Sequence, residues 1–287
     1  MVERFSMQEP TKRQPHERDG SAALRPGLHL HFDPSTGIAG DMALAALVDA
    51  GVPETIVLDA IRVMKVPGLV ARFRSEPDSP GLRFEVSWPD QHEGHHHNHR
   101  HEPMPSTDHN PGHRHRSYSD IRRMLSTASL PADGRGLAER MFARLAAVEA
   151  QIHNQTIEDV TFHEVGAFDS IADIVGVAAA IAWLSPSSVS ASPPLLGSGT
   201  VECEHGVLPV PAPATASLLA GRPVLEAGDG ELTTPTGALV LTSLVAEFGP
   251  SPPLRVLSRG LGIGTKTLHG QPNALAVTLG ELATAGL

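Results

Sequence analysis

The feature that most constrains folding is a histidine-rich tract inside the chain. Residues 92–116 read HEGHHHNHRHEPMPSTDHNPGHRHR and hold nine of the sixteen histidines of the 287-residue sequence. Imidazole and guanidinium groups so closely spaced cannot be buried in an apolar core, because they would lack hydrogen-bond partners there. We therefore predict a long mobile loop at about 90–117 that either binds a ligand or acts as a spacer.

Composition limits the classes of protein that this chain can belong to. Apolar residues make up 40% of the sequence, which is enough for a hydrophobic core, and the formal net charge of -10 disfavours binding to nucleic acid or to an anionic membrane. Residues 1–26 are predicted to form a disordered tail, since they lack the apolar segment of a secretory signal. The longest apolar run, residues 174–184, is shorter than the roughly 20 residues of a membrane span.

Cysteine usage points to a reducing compartment. Cys203 is the single cysteine of the chain, so no internal disulfide can form. We predict a soluble, cytoplasmic protein with no nucleic-acid or membrane partner, and the sequence leaves open whether it forms a homo-oligomer.

The pattern of elements predicts one mixed α/β domain over residues 27–287, with a mixed α+β arrangement as the alternative. Residues 28–33 alternate with period two and predict a strand that ends at Asp33. A glycine-rich turn follows, and then a helix with Asp41 as its N-cap and Gly51 at its C-terminal end. Further along, the sequence predicts a hairpin of strands at 69–77 and 82–89. Three helices are predicted in the middle third, at 117–130, 134–154 and 169–184. The last hundred residues are predicted to contain short strands and two short helices, at 212–221 and 234–249.

The histidine tract itself is a candidate metal-binding segment. Imidazole nitrogen is a good ligand for nickel, copper and zinc, and nickel and copper rank high in the affinity order of divalent ions. The irregular spacing of the histidines specifies no single coordination geometry, and a solvated linker is the alternative. The candidate ligands are His95, His96, His97, His99 and His101.

A second candidate metal site lies in TFHEVGAFDSIADIVG, residues 161–176. His163 and Glu164 precede a glycine, whereas Asp169 and Asp173 are four residues apart and share one face of the following helix. In the alternative interpretation, Asp169 is a helix cap and Asp173 a surface charge. That alternative does not explain two acids on a helix that is otherwise almost entirely apolar, because an unpaired buried carboxylate is costly. We predict that all four side chains bind metal.

Two turns are candidate phosphate sites, since backbone N–H groups at a helix N-terminus bind anions. One is the turn GIAGD, with Gly37 and Gly40, and the other is the helix start TTPTG, where Pro235 suits the first helical position. Helix capping by Asp41 or Thr234 is the alternative for each turn. The predicted ligand-binding residues are Gly37, Gly40, Thr234, Thr236 and Gly237, and the predicted catalytic residues are Asp33, Asp41, His163 and Glu164.

The segment VECEHG offers one further candidate metal ligand, His205, two residues after Cys203. A thiolate and an imidazole together can hold a borderline metal ion. For Cys203 we favour the role of a small buried residue.

Several segments resemble the nickel-insertion proteins of nickel-pincer nucleotide cofactor biosynthesis, the LarC family. They are, in order, DPSTGIAGDM, the histidine-rich loop with HRSYSDI, FHEVGAFDSIADIVG, EHGVLPVPAPAT, ELTTPTGA and GLGIGTKT with PNALAV. The resemblance implies a nickel chelatase of the lyase class. It would insert nickel into pyridinium-3,5-bisthiocarboxylic acid mononucleotide, in a CTP-dependent reaction that makes the cofactor of lactate racemase and related enzymes.

The sequence departs from the family pattern in two respects. Family members carry a C-terminal module that binds CTP with Mg²⁺ or Mn²⁺, and this sequence stops at Leu287, so we expect a separate CTP-binding module. Family members often show an arginine soon after the Pro-Asn pair, where this chain has Ala276.

Two other functions remain open at this stage. The first is a nickel storage or delivery protein without catalysis, and the second is a nucleotide-binding domain with a plain spacer loop. For the chelatase, we predict one cleft in which His163 and Asp169 approach Asp33 at the end of the first strand, because ligand sites favour strand ends.

Overall fold

The computed structural model describes residues 27–75, 79–88, 116–162, 168–203, 206–266, 268 and 272–283. The predicted N-terminal tail and the histidine-rich segment from 89 to 115 lie outside the described residues. So do the predicted site residues His163, Glu164 and His205.

The described chain alternates between helices and strands. Its elements in order are β1 (Leu28–Asp33), α1 (Gly40–Asp49), α2 (Glu54–Arg62), β2 (Val70–Ser75), β3 (Leu82–Ser87), β4 (Arg116–Ser117), α3 (Tyr118–Thr127), α4 (Ala132–Ile152), a single 3-10 turn (Ile157–Asp159), β5 (Thr161–Phe162), α5 (Phe168–Leu184), β6 (Ser188–Ala191), β7 (Gly197–Ser198), β8 (Thr200–Cys203), β9 (Gly206–Pro209), α6 (Pro213–Leu218), β10 (Gly230–Glu231), α7 (Pro235–Leu244), β11 (Glu247–Phe248), β12 (Leu254–Ile263) and β13 (Ala274–Leu282).

The largest sheet has seven strands in the order β11-β6-β1-β13-β12-β3-β2. The pairs β1/β6, β6/β11 and β12/β3 are parallel, whereas β1/β13, β12/β13 and β2/β3 are antiparallel. The sheet is therefore mixed, and together with the seven α-helices of the described residues it confirms the predicted mixed α/β class.

Helix α1 lies directly on the centre of this sheet. A Cβ atom added at Gly260 or Gly262 of β12 would lie only 2.1 Å from Ala46 O or 1.8 Å from Met42 O of α1. The two glycines therefore allow helix and strand backbones to approach more closely than larger residues permit. Leu30 and Phe32 of β1 are fully buried. The core of the molecule thus includes the central strands and the helices beside them.

Helix α5 lies inside the helical layer. Twelve of its seventeen residues are buried, and it contacts α4, α2, α1 and α7. The prediction of a largely apolar, buried helix in this region is confirmed, and Asp173 is among its buried residues. Of the described helices, none combines the length and apolar character that a membrane span requires.

The structure corrects the sequence predictions at several points. Helix α1 begins at Gly40 with Ala39 as its N-cap, so the prediction of Asp41 as the N-cap is wrong, although Asp41 does lie in the first turn. Gly51 follows the helix in a positive-φ conformation (116°), as expected for a helix end. Helix α2 was not predicted. The strands of the last hundred residues are not all short, since β12 has ten residues and β13 has nine.

Candidate functional site

Three aspartates from two helices interact at the N-terminal ends of α1 and α5. Asp169 and Asp173 belong to α5, and Asp41 belongs to the first turn of α1. The two helices meet closely here, because a Cβ atom at Gly40 would lie 2.5 Å from Asp173 Oδ2. The charge of Asp41 also acts on the Asp173 carboxyl group. Glycine at position 40 therefore allows the buried carboxyl group to reach the start of α1.

Burial and mutual repulsion favour the protonated forms of these acids. Asp173 is only 8% exposed, and burial, followed by the charges of Asp41 and Asp169, raises its pKa well above the ordinary value. Burial is also the main reason why the pKa of Asp41 rises to about 6. The nearby charge of Asp169 adds to that rise, whereas a hydrogen bond from the Met42 N–H (2.7 Å) and the charge of Arg83 oppose it.

Asp169 differs from the other two aspartates because it is exposed to solvent. Surrounding protein atoms raise its pKa by desolvation, while a hydrogen bond from the Ser170 N–H (2.8 Å) opposes the rise. Contact with water limits this upward shift. Asp169 is therefore the most accessible of the three carboxylates.

All three aspartates line one cavity of about 760 Å³. This volume lies within the range of roughly 300–1,000 Å³ that is typical of small-molecule sites. The cavity wall also includes Arg72, Arg83 and Glu85 of the β2–β3 hairpin, Glu202 and Cys203 of β8, and Thr234 and Thr236 at the start of α7. It therefore combines an acidic cluster, two arginines, a thiol and hydroxyl groups.

The two predicted phosphate turns lie next to each other. Ile38 N donates to Leu232 O (2.9 Å), and Thr234 N donates to Ile38 O (3.0 Å). Gly40 N donates to Thr236 Oγ1 (3.3 Å), which joins the starts of α1 and α7 directly. No sequence pattern indicates that these distant segments meet.

The glycines of the two turns are required by packing. A Cβ atom at Gly237 would lie 2.1 Å from Ile38 O, and one at Gly37 would lie 2.2 Å from Leu232 O. Gly37 also has a φ of 99°, a left-handed conformation that favours glycine. Thr234 caps α7 by accepting a hydrogen bond from Gly237 N (3.2 Å), which is the capping role considered as the alternative. Whether any of these residues also binds a ligand stays a prediction.

Two other predicted residues occupy different surroundings. Asp33 ends β1, its carboxylate accepts a hydrogen bond from Ser35 N (3.3 Å), and it is not among the residues that line the cavity. Cys203 is half-buried and lines the cavity, so it is not the fully buried residue that we favoured from the sequence. The predicted approach of His163 to Asp33 lies outside the described residues.

The aspartates do not form a complete metal cage by themselves. Within the described ranges, no three His, Cys, Asp or Glu side chains are grouped so that they could hold one metal ion. The carboxylates are near enough to shift one another's pKa, but further ligands would have to come from outside the described residues or from a bound molecule. An open, oxygen-rich set of ligands would hold nickel only weakly, since nickel prefers nitrogen and sulfur ligands.

Arg72 and Arg83 were not identified as candidate site residues from the sequence. They occur in two predicted strands, where arginines are ordinarily solvent-facing. Alternation in VARFRS places Arg72 and Arg74 on one strand face, but the sequence does not show which face borders a cavity.

The chain is similar to known proteins of one family. The family model described as nickel insertion protein matches residues 30–286. The chain belongs to the nickel insertion protein family. No solved structure matches it.

Individual members of this family share about two fifths of their matched residues with the chain. It is 46% identical over 259 residues to a putative nickel insertion protein of Geobacter sulfurreducens, covering 88% of the chain and 61% of that protein. It is 39% identical over 255 residues to the pyridinium-3,5-bisthiocarboxylic acid mononucleotide nickel insertion protein of Geobacillus kaustophilus (88% and 59% covered). A protein of the same name from Nocardioides sp. is 41% identical over 258 residues (88% and 60% covered). The chain thus spans about three fifths of the length of these curated relatives.

Proposed function

We propose that this chain binds nickel at the aspartate cluster and transfers it to pyridinium-3,5-bisthiocarboxylic acid mononucleotide in the same cavity. The observation that carries the proposal is the convergence of Asp41, Asp169 and Asp173 on one cavity of about 760 Å³ in a member of the nickel insertion protein family. Two relatives are named for insertion into this mononucleotide.

The ligand chemistry gives the transfer its direction. Carboxylate oxygens are hard ligands, whereas the thiocarboxylate sulfurs of the mononucleotide are soft ligands that nickel prefers. Nickel–sulfur bonds would replace nickel–oxygen bonds, and the released carboxylates would take up protons again. The raised pKa values of Asp41 and Asp173 favour this proton uptake, which assists release of the metal.

The test is transfer of nickel from the purified protein to the mononucleotide in the presence of CTP, Mg²⁺ and the unmatched part of a longer relative supplied in trans. Mass spectrometry detects the product. We expect Asp169→Ala to abolish transfer with little loss of stability, because this side chain is exposed. The matched control is Asp133→Ala, which removes an exposed acid from the first turn of α4, outside the cavity. Full transfer by the Asp169 variant would refute the proposal.

A store or delivery protein for nickel is the second candidate function. It is favoured by the nine histidines of residues 92–116. A store would bind several nickel ions per chain and need no small molecule, whereas an inserting enzyme should also bind the mononucleotide. Calorimetric titration with each ligand separates the two functions.

The proposal also covers the class of the reaction, the binding of CTP and the location of the protein in the cell. We assign the reaction to the chelatases of the lyase class and propose that CTP, with Mg²⁺ or Mn²⁺, binds a separate module. Relatives that are longer than the part matched by this chain are compatible with such a module. A single cysteine suits the cytoplasm as the proposed location.

A further inference from the structure

Two arginines in the cavity wall lie on the β2–β3 hairpin. We infer that Arg83, together with Arg72, binds the phosphate group of the mononucleotide and thereby orients its sulfur-bearing ring towards the aspartates. This inference rests on the proposed function and deepens it, because it assigns the part of the site that recognises the nucleotide.

The hairpin register places the arginines together on one face. Arg72 pairs with Glu85 across the strands and Arg74 pairs with Arg83, so all four side chains share that face. Arg72, Arg83 and Glu85 line the cavity, whereas Arg74 does not. Glu85 also binds the Arg72 guanidinium, with Oε2 at 2.7 Å from Nε and 2.6 Å from an outer nitrogen. This ion pair holds Arg72 in place at the cavity wall.

The way β3 joins the sheet leaves this wall open. Among the described residues, β3 pairs with β12 at one position only, Leu82 with Gly262. From Arg83 to Trp88, the strand and the residue after it border the cavity rather than a neighbouring strand on that side. A bound molecule can therefore reach the Arg83 side chain from within the cavity.

The three aspartates at the starts of α1 and α5 favour a cation there. The arginines on the described cavity wall, Arg72 paired with Glu85 and Arg83, lie on the hairpin. The start of α1 already receives the Asp173 carboxyl group, and Asp41 and Asp169 are close by, so a phosphate dianion there would be repelled. The start of α7 is capped by Thr234. Guanidinium groups, by contrast, match the geometry and charge of a phosphate. The charge of Arg83 also acts on Asp41, so Arg83 and the aspartates are near enough for one molecule to contact both.

The experiment compares two probes that differ only in the phosphate. They are the nickel-free mononucleotide and the nucleoside obtained from it with phosphatase, each titrated into the full chain by calorimetry. We expect the wild type to prefer the mononucleotide and Arg83→Gln to bind it about 10- to 100-fold more weakly, with nucleoside binding unchanged. Arg83→Lys should be intermediate, since it keeps the charge but loses the two-pronged geometry.

Arg74→Gln is the matched control, because it removes an arginine from the same hairpin face but outside the cavity. Thermal unfolding of each variant establishes that it is folded, and Arg72→Gln provides a second variant in which the preference should shrink. An unchanged preference in both glutamine variants, or an equal loss for the nucleoside, would overturn the inference. If the arginine variants instead lose binding of CTP and keep the mononucleotide preference, the phosphate bound here belongs to CTP and the inference is wrong.

Nickel titration distinguishes a failure of this inference from a failure of the proposed function. If Arg83→Gln and Arg72→Gln both bind nickel normally and retain the mononucleotide preference, only the phosphate assignment fails. If the wild type binds neither probe, both the inference and the proposed insertion reaction fail.

Discussion

Asp173 is the most deeply buried of the three cavity aspartates, and its burial should make folding stability depend on pH. Its folded pKa is raised above the unfolded value of about 3.8, so the folded state holds a proton over a pH range in which the unfolded state has lost it. Stability therefore falls as pH rises from about 4 towards the folded pKa. We expect Asp173→Asn to remove this loss and to be at least as stable as the wild type at pH 8, as measured by thermal unfolding between pH 4 and 8.

Asp120 provides a control with the opposite sign. Its pKa is lowered, mainly by a hydrogen bond from the Ser117 hydroxyl (2.8 Å), so its stabilising contribution is present above the unfolded pKa and lost as pH falls. Asp120→Asn should be less stable than the wild type at pH 7, by an amount that shrinks towards pH 3. If both variants followed the same trend with pH, the explanation by burial would be refuted.

Asp41 should control the pH dependence of nickel binding at the cluster. Because its pKa is raised to about 6, nickel must displace a proton from it at lower pH, and affinity should decline as pH falls through about 6. The measurement is a nickel titration from pH 5 to 8 on a chain that lacks residues 92–115, since ordinary imidazoles titrate near 6.5. Asp41→Asn should weaken binding and flatten the pH dependence in that range. A slope that survives this substitution would assign the proton to another group.

At the scale of single residues, the sequence indicated the aspartates of the site better than its arginines. Asp169 and Asp173 could be singled out because acids four residues apart on an apolar helix need an explanation. For Asp41, the sequence also suggested the role of helix N-cap, but the N-cap of α1 is Ala39. Arg72 and Arg83 could not be predicted as site residues, because only the three-dimensional path of the hairpin brings them to the cavity.

Helices α1 and α7 depend on glycine for their mutual approach. A Cβ atom at Gly237 would clash with Ile38 O at 2.1 Å and force the two helix starts apart. We expect Gly237→Ala to cost about 1–3 kcal/mol in the free energy of unfolding and to weaken nickel binding, because the Gly40 N–H contact with Thr236 would be disturbed. Denaturant unfolding and nickel titration measure the two effects.

The control is a helical glycine that has space around it. At Gly136 of α4, an added Cβ atom would meet only Arg140 Nη1, at 3.4 Å. Gly136→Ala should therefore stabilise the protein by about 0.5–1 kcal/mol and leave nickel binding unchanged. Equal effects at the two positions would mean that the contact between the turns does not limit packing.

At the scale of elements, the predictions succeeded where periodicity was strong. Residues 28–33, the hairpin and helices α3 to α5 follow clear patterns of period two or 3.6, and the structure contains each of them. Strand β12 was harder to predict because glycine within LRVLSRGLGI usually marks a turn or break. Here Gly260 and Gly262 instead provide space for α1, a requirement that only tertiary packing reveals.

At the scale of the whole molecule, the site is assembled from segments far apart in sequence. The cavity draws its wall from β2–β3, α1, α5, β8 and the start of α7, so no local pattern describes it. The mixed α/β class could be predicted from the sequence, whereas the strand order could not, because β13 inserts between β1 and β12 from the far end of the chain. The position of Arg72 and Arg83 in the cavity wall could not be predicted for the same reason.

The histidine-rich segment should act as a collector of metal that is separable from the folded site. Its nine histidines are irregularly spaced in the sequence and specify no single coordination geometry, so we expect several divalent ions per chain with affinity on the order of micromolar. Deleting residues 92–115, which keeps Arg116 of β4, should leave thermal unfolding unchanged, lower the number of nickel ions bound, and retain binding at the aspartate cluster. Histidine ligation further requires that the extra ions of the full-length chain dissociate as pH falls through about 6.5, which equilibrium dialysis measures. A deletion that unfolds the protein would show that the segment is structural, and a nickel stoichiometry that is constant between pH 5 and 8 would count against histidine as the ligand.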